Sequence, residues 1–221
     1  MPEDTPAQQK ARLEMVKYQI ESRGIHQERL LEALRAVPRH WFIPEESRYM
    51  AYEDHPAPIG LGQTISQPYI VALMISLLKL QGHERVLEIG CGSGYQAALL
   101  GLLAGEVHTI ELRPELAAAA RANLAHFDLP NVQVHEGDGS AGMPGHAPFD
   151  GILVSAAAPE VPPPLRHQLT PLGRLVLPVG PRHNQHLQVW QHTPDGFECV
   201  YTLPVMFVPL RGHWGWPNDV S

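Results

Sequence analysis

Glycine recurs at alternate positions directly after an apolar run in residues 86–94, at Gly90, Gly92 and Gly94. Glycine allows the backbone to approach a ligand closely and to adopt turns that a side chain would forbid. Residues 95–104 are predicted to form a helix, whose first N–H groups and positive dipole end would face the same ligand. Strand, glycine loop and helix together predict a binding site for a nucleotide-type cofactor.

Two carboxylates accompany this loop. Glu88 lies two residues before Gly90, and a second apolar run, residues 107–110, ends at Glu111. Glu111 follows Gly90 by 21 residues (111 − 90), close to the ~20-residue interval at which doubly wound folds place the acidic residue that holds a ribose hydroxyl. The spacing G-x-G-x-G is similar to the S-adenosylmethionine (AdoMet) loop of class I methyltransferases. A nicotinamide dinucleotide site, with its usual G-x-G-x-x-G spacing, is the weaker alternative.

Composition excludes several classes of protein. The 221 residues carry a net charge of −7, which disfavours binding to nucleic acid because that needs clustered positive charge. The chain lacks an apolar stretch of about 18 residues, so we expect no membrane span, and residues 1–10 lack the apolar region of a signal peptide. The two cysteines, Cys91 and Cys199, indicate a reducing compartment without a structural disulfide. We therefore expect a soluble, cytoplasmic monomer.

The N-terminal third predicts helices followed by an irregular segment. Residues 1–9 are expected to be frayed, and residues 13–20 form a helix that stops at Gly24. A second apolar stripe, residues 30–37, ends near Pro38. Residues 39–62 contain prolines, glycines and aromatic residues, which predicts an ordered, irregular segment that leads into a site.

Strands and helices alternate in the rest of the chain until residue 180. This alternation predicts a mainly parallel sheet covered on both faces, and Asp195-Gly196 between two β-rich segments predicts an antiparallel hairpin. The fold class is therefore α/β and Rossmann-like. We divide the chain into an N-terminal helical extension with the active-site segment, residues 1–80, and a cofactor-binding core with the C-terminal hairpin, residues 81–221, within one compact domain.

A polar run precedes the helix predicted from residue 70. Residues 62–69 contain Ser66 directly before Gln67 and Pro68. Serine is a common N-cap and proline is favoured in the first turn. Taken alone, the pattern favours Ser66 as a helix cap over Ser66 as a reactive residue.

Several motifs occur in the order typical of protein-L-isoaspartate O-methyltransferases, and the chain resembles that family over residues 12–211. The AdoMet loop is shared by many methyltransferases, whereas T-I-S-Q-P, A-A-A-P and V-P-L are more specific. The matching segments are residues 24–42, 63–68, 86–94, 137–139, 149–150, 156–159, 173–180 and 208–210.

The resemblance implies a class I AdoMet-dependent methyltransferase that repairs damaged proteins. Such an enzyme methylates the free α-carboxylate of L-isoaspartyl residues in proteins and peptides and releases S-adenosyl-L-homocysteine, and activity on D-aspartyl residues is left open. An α-carboxylate has a pKa of about 3.3–3.7 and is ionised at neutral pH. The enzyme therefore needs no general base and acts mainly by positioning the two reactants.

The resemblance also implies roles for individual residues. Ser66 is the catalytic residue, which replaces the helix-cap interpretation, and Asp138 lies beside the adenine, with a turn-forming role between glycines as its alternative. The substrate pocket is formed by Ser66 with Thr64 and Ile65, and backbone groups of Val208, Pro209 and Leu210 bind the substrate peptide. Glu111 binds the ribose. The full set of residues around the cofactor is Gln63, Thr64, Ile65, Glu88, Gly90, Gly92, Gly94, Glu111, Leu112, Asp138 and Gly139.

Other functions remain as alternatives. A small-molecule or RNA methyltransferase on the same fold would lack the T-I-S and V-P-L runs, and RNA would require a basic face. A binding protein without catalysis would not need Ser66. His183 and His186 are interpreted as solvated loop residues, since cysteine or well-spaced carboxylate partners are missing, and we expect no metal site.

Overall fold

The computed structural model describes residues 4–217, which form a three-layer α/β structure. The helices are α1 (Pro6–Met15), α2 (Glu28–Ala36), α3 (Pro68–Leu78), α4 (Tyr95–Leu103), α5 (Pro114–Leu124) and α6 (Pro163–His167). The strands are β1 (Ala57–Gly60), β2 (Gln63–Ile65), β3 (Arg85–Ile89), β4 (Glu106–Glu111), β5 (Val132–Glu136), β6 (Phe149–Val154), β7 (Leu169–Val179), β8 (Gln185–Thr193) and β9 (Gly196–Val205).

The main sheet has seven strands in the order β5-β4-β3-β6-β7-β8-β9. The first five are mutually parallel, and β8 and β9 pair antiparallel at the other edge. The mainly parallel sheet and the C-terminal hairpin are thus confirmed. Because β4 lies on one side of β3 and β6 on the other, the strand order reverses between β3 and β6. Such a reversal is where open α/β sheets bind ligands, outside the carboxyl ends of the strands.

The N-terminus is more ordered than its sequence suggested. Helix α1 begins at Pro6, where the Thr5 side chain accepts a hydrogen bond from the Gln8 N–H and Gln8 accepts in return from the Thr5 N–H. This capping box satisfies N–H groups at the helix start, so the expected fraying of residues 1–9 is wrong for the part described, and residues 1–3 lie outside it. The helical path continues to Gly24, whose left-handed φ of 94° ends it as predicted.

The segment 39–62 is ordered, as predicted, but it is not irregular. Two 3₁₀ turns (Arg39–Phe42 and Glu45–Met50) precede the hairpin of β1 and β2. Buried residues of this segment join one hydrophobic cluster with residues of the first helices and of the sheet, from Met15 to Val189. The division between residues 80 and 81 stays a prediction.

Element boundaries differ by a few residues from those expected. The apolar pattern of residues 173–180 predicts a strand there, but strand β7 begins earlier, at Leu169. The alanine-rich pattern after Pro114 predicts a helix to about Phe127, but helix α5 ends at Leu124. The last strand is Gly196–Val205, so residues 206–208 lie beyond it and run towards the site described below. In the part of the chain that the structure describes, all helices are too short or too polar to cross a membrane.

Candidate active site

A cleft of about 1080 Å³ opens at the carboxyl ends of β3, β4 and β6. Its walls come from the glycine loop after β3, from the β1–β2 hairpin and from the segment after β9. All but two of the predicted site residues line it, namely Gln63, Thr64, Ile65, Ser66, Glu88, Gly90, Gly92, Glu111, Leu112, Gly139, Val208, Pro209 and Leu210. Tertiary structure therefore brings the predicted site residues from distant parts of the chain into one cleft.

The glycine loop has the backbone conformation that its sequence predicted. Gly90, Gly92 and Gly94 have φ of 89°, 56° and 92°, values that disfavour any residue with a Cβ. Gly94 is one of the two predicted residues that do not line the cleft. It is the N-cap of α4, and a Cβ there would lie 3.4 Å from Ala120 of α5. Its role is to form the turn and to let two helices approach.

Glu111 ends β4 and is held by the backbone. One carboxylate oxygen accepts from the Gly92 N–H at 2.9 Å and the other from the Arg113 N–H at 3.0 Å. These bonds fix the carboxylate at the cleft wall, where a carboxylate oxygen can accept further hydrogen bonds from hydroxyl groups. The position suits the predicted contact with ribose.

Glu88 is a buried carboxyl group with an incomplete set of partners. Its side chain is fully buried, and Oε2 accepts a hydrogen bond from the Thr109 hydroxyl at 2.5 Å. Oε1 is also buried and accepts no hydrogen bond from the residues described. Burial, with repulsion from Glu111 as a smaller cause, raises the pKa of Glu88 to about 8. A buried acceptor without a partner at a cleft wall is suited to a cationic ligand group.

Ser66 connects β2 to α3 and does not cap the helix. The N-cap is Gln67, and the N-terminus of α3 has no hydrogen bond from a capping side chain. The backbone carbonyl of Ser66 accepts from the Arg39 guanidinium at 2.8 Å. Among the residues described, the Ser66 hydroxyl has no protein partner, so it can donate to a ligand in the cleft.

Arg39 supports the site from outside the cleft lining, and no motif in the sequence marks it for this role. It is fully buried, and its guanidinium donates to the Ala51 carbonyl and to the Ser66 carbonyl, each at 2.8 Å. The same guanidinium lies 5.1 Å from the ring centroid of Tyr95, which lines the cleft. Burial lowers the pKa of Arg39 to about 10, so it stays charged at neutral pH. Only the tertiary contacts reveal that Arg39 supports Ser66.

Asp138 is the second predicted residue outside the cleft lining. Its carboxylate accepts from the Ser140 N–H at 2.8 Å and from the His213 N–H at 2.7 Å. The Trp214 N–H donates to the Ser140 hydroxyl, so the C-terminal tail is fastened to this loop. Because Asp138 lies outside the cleft lining and its carboxylate fastens the turn to the tail, the geometry favours the alternative that Asp138 forms the turn, and its contact with adenine stays a prediction.

The same tail reaches the cleft. Trp216 lines it and donates its ring N–H to the Ala157 carbonyl at 3.1 Å. No motif in the tail predicts this contact. Two tryptophans shortly after V-P-L were the available signal, since large aromatic side chains near a chain end usually pack on something.

The V-P-L run is partly used inside the protein. The Val208 carbonyl accepts from the Ala157 N–H, and the Leu210 N–H donates to the Ala157 carbonyl, each at 2.8 Å. The Leu210 carbonyl accepts from the Trp216 N–H at 2.7 Å. The expectation that the whole run offers backbone groups to a peptide is therefore too broad. Within the described residues, the Val208 N–H and the Pro209 carbonyl remain available.

Comparisons with known proteins agree with this geometry. The model of the family "Protein-L-isoaspartate(D-aspartate) O-methyltransferase (PCMT)" matches residues 9–214. The protein-L-isoaspartate O-methyltransferase of Methanoculleus marisnigri is 52% identical over 210 residues, covering 95% of this chain and 96% of the relative. A second relative, protein-L-isoaspartate O-methyltransferase 1 of Syntrophobacter fumaroxidans, is 53% identical and covers 94% of this chain and 97% of its own.

Solved structures show the same fold. A protein-L-isoaspartate O-methyltransferase superposes with a TM-score of 0.81 at 26% identity, covering 92% of this chain and 67% of that one. A Plasmodium falciparum protein, described as a beta-aspartate methyltransferase in complex with S-adenosyl-L-homocysteine, superposes with a TM-score of 0.77 at 22% identity. That alignment covers 90% of this chain and 98% of the other.

Proposed function

The chain belongs to the protein-L-isoaspartate(D-aspartate) O-methyltransferase family, and from this premise we propose how its cleft performs the reaction. It is an AdoMet-dependent methyltransferase that acts on isoaspartyl residues. We propose that the acceptor is the free α-carboxylate of the L-isoaspartyl residue and that Ser66 orients it. The observation that carries the proposal is that Ser66 and the glycine loop line one cleft.

The residues of the cleft fit AdoMet. Gly90 and Gly92 would let the backbone approach the methionine part, Glu111 would hold the ribose hydroxyls, and Glu88 would accept from the ammonium group through its unpartnered Oε1. Leu112 and Gly139 would border the adenine. Residue 139 is a glycine for packing reasons, because a Cβ there would lie 2.7 Å from the Ile89 and Ile110 side chains. Bound AdoMet supplies an electrophilic methyl group on its sulfonium.

The acceptor side needs orientation rather than activation. The α-carboxylate is ionised at neutral pH, so no proton has to be removed from it. The Ser66 hydroxyl can therefore donate a hydrogen bond to one carboxylate oxygen. This hydrogen bond would orient the carboxylate so that its other oxygen is presented to the cofactor side of the cleft. Arg39 holds the Ser66 backbone in place through its hydrogen bond to the Ser66 carbonyl. Thr64 and Ile65 form the wall beside the acceptor.

The substrate chain would enter along the segment after β9. The cleft volume of about 1080 Å³ is slightly above the roughly 300–1,000 Å³ typical of small-ligand pockets, so it leaves space for a peptide beside the cofactor. We propose that the Val208 N–H and the Pro209 carbonyl bind the peptide backbone. Backbone recognition suits an enzyme that must accept many sequences around one lesion.

The function is tested with two peptides of the same sequence, one with isoaspartate and one with aspartate. Incubation with methyl-labelled AdoMet is expected to give a base-labile methyl ester on the isoaspartyl peptide and a signal near background on the other. The aspartyl peptide presents its free carboxylate one methylene further from the backbone, so it cannot meet the same constraints. Equal labelling of both peptides would contradict the proposed acceptor, and a D-aspartyl peptide in the same assay tests the second substrate.

The pH dependence of cofactor binding tests Glu88. Its pKa of about 8 in the free protein means that the carboxyl is mostly protonated near pH 7. Binding the ammonium group favours the carboxylate, so a proton is released on binding. AdoMet affinity should therefore rise with pH, by up to about tenfold per unit between about pH 6 and 7.5, where an α-amino group of pKa about 7.7–8.0 is still mainly charged.

Isothermal titration calorimetry in two buffers of different ionisation enthalpy measures both the affinity and the released proton. Glu88→Gln serves as the control, because its amide cannot titrate and its affinity should be weaker but independent of pH. A flat affinity profile in the unchanged protein would show that Glu88 does not meet the ammonium group.

We further propose that the enzyme acts as a monomer in the cytoplasm, on damaged proteins and peptides rather than on nucleic acid or membranes. The support is the net charge of −7, which would repel phosphate backbones, and cysteine use typical of a reducing compartment. Size-exclusion chromatography with light scattering tests the oligomeric state.

A further inference from the structure

Three histidines meet on the face of the sheet opposite α4 and α5, away from the cleft. His108 lies on β4, His135 on β5 and His146 in the turn before β6. One ring nitrogen of each lies within 4.8 Å of the other two. Histidine, cysteine and acidic side chains can all bind metal ions. Among the described residues, these three histidines are the ones whose ligand atoms lie close enough together to share one ion.

The buried member of the cluster has the arrangement of a metal ligand with a supporting carboxylate. His108 is 1% exposed, and its Nε2 lies 2.9 Å from a Glu106 carboxylate oxygen. That bond fixes the proton on Nε2 and leaves the Nδ1 lone pair facing His135. A carboxylate that accepts from the far nitrogen of a ligating histidine is the usual second partner in zinc sites.

The distances between nitrogen atoms match those of a tetrahedral ion. His108 Nδ1 lies 3.1 Å from His135 Nε2, and two ligands at about 2.0–2.1 Å from a tetrahedral zinc are about 3.3 Å apart. The His146 ring lies 4.2 Å from the His108 ring and 5.3 Å from the His135 ring, measured between centroids. A hydrogen bond between His108 and His135 explains their own distance, but it gives no reason for a third imidazole at the same point.

The supporting carboxylate is itself held in place. Glu106 uses one oxygen for His108 Nε2 and the other for Arg85, whose Nε lies 2.7 Å away. Its contact with His108 is therefore fixed before any ion binds.

We propose that His108, His135 and His146 form a zinc-binding site, with water at the fourth position. His146 is exposed, so the ion can enter from solvent and keep a water ligand. The bound ion would tie β4 and β5 to the turn Pro144–His146 and would stabilise the fold without entering the methyl-transfer cleft. Neutral imidazole ligands suit Zn²⁺, and three of them with a water are an established zinc coordination.

The test uses the full chain without a histidine tag, stripped with a chelator and dialysed. Titration with ZnCl₂ in a calorimeter should give one ion per chain. A zinc concentration of about 100 times Kd should raise Tm by about 5–10 °C, given the size of the chain. Co²⁺ in place of zinc should give the intense visible absorption of a four-coordinate ion.

His146→Ala is the decisive variant, because an exposed side chain can be removed without disturbing the core. It should weaken zinc binding by about 100-fold or more, at least as much as loss of a supporting partner, and abolish the rise in Tm. The double variant His183→Ala/His186→Ala is the matched control and should keep both. Absence of saturable binding, or equal binding by His146→Ala and the unchanged protein, would overturn the proposal.

Discussion

Replacement of Ser66 by alanine is expected to slow methyl transfer to the isoaspartyl peptide by about 10- to 1000-fold, the range for one lost positioning hydrogen bond in a transition state. Ser66 lines the cleft, and its hydroxyl has no protein partner among the described residues, so under the proposed function it is available to donate to the substrate carboxylate. Single-turnover kinetics with labelled AdoMet measures the rate. AdoMet affinity, measured by calorimetry, should stay largely intact.

Two further variants serve as controls for that result. Ser66→Thr keeps the hydroxyl and should retain more activity unless its methyl group clashes. Ser76→Ala removes a serine hydroxyl from helix α3 that donates to the Leu73 carbonyl at 2.7 Å, and it should leave the rate unchanged. An unchanged rate in Ser66→Ala would contradict the proposed role, and a methylated Ser66 trapped by mass spectrometry would indicate covalent transfer instead.

Replacement of Arg39 by lysine is expected to lower the methylation rate by about 10- to 100-fold, because a small displacement of a positioning group can cost that much. The Arg39 fork reaches both the Ala51 and the Ser66 carbonyls. A lysine keeps the charge, but its single ammonium group cannot reproduce the planar fork. One carbonyl would lose its charged donor, and the Ser66 backbone would shift.

A double-mutant cycle separates positioning from general stability. If Arg39 acts through Ser66, then Arg39→Lys should slow the Ser66→Ala enzyme much less than it slows the unchanged enzyme. Arg174→Lys is the matched control, since Arg174 also donates to a backbone carbonyl, that of Leu77, at 2.9 Å and lies outside the cleft lining. Fully additive losses in the cycle would mean that Arg39 supports the fold and not Ser66.

Local sequence was sufficient for the alternating strands and helices of the main sheet and for the cofactor loop, but it did not predict the β1–β2 hairpin. The alternation of apolar strands and helices predicts a parallel sheet. Both patterns can be recognised in the sequence because each depends on the spacing of neighbouring residues only. The glycines of residues 90–94 predict left-handed backbone, and all three adopt it. Boundaries were less certain, since the capping box at Thr5 and the early start of β7 depend on particular hydrogen bonds rather than on hydrophobic pattern.

The site was predicted less completely than the fold. Motif order identified the residues that line the cleft, Ser66 among them, although local pattern alone favoured Ser66 as a helix cap. The motifs did not separate groups that face a ligand from groups that the protein itself uses. Asp138 bonds to the tail, and the Val208 carbonyl bonds to Ala157. Both residues belong to the matching motifs, and only their partners distinguish these contacts from ligand contacts.

The sequence by itself determined the α/β fold class, the glycine loop and the family, because each depends on short segments whose conformation or motif is set by neighbouring residues. Only the tertiary structure decided what supports those stretches. Arg39 reaches Ser66 across 27 residues of chain, and His108 meets His135 across another 27. No spacing rule connects such pairs, since the path of the chain between them is set by packing in the whole core.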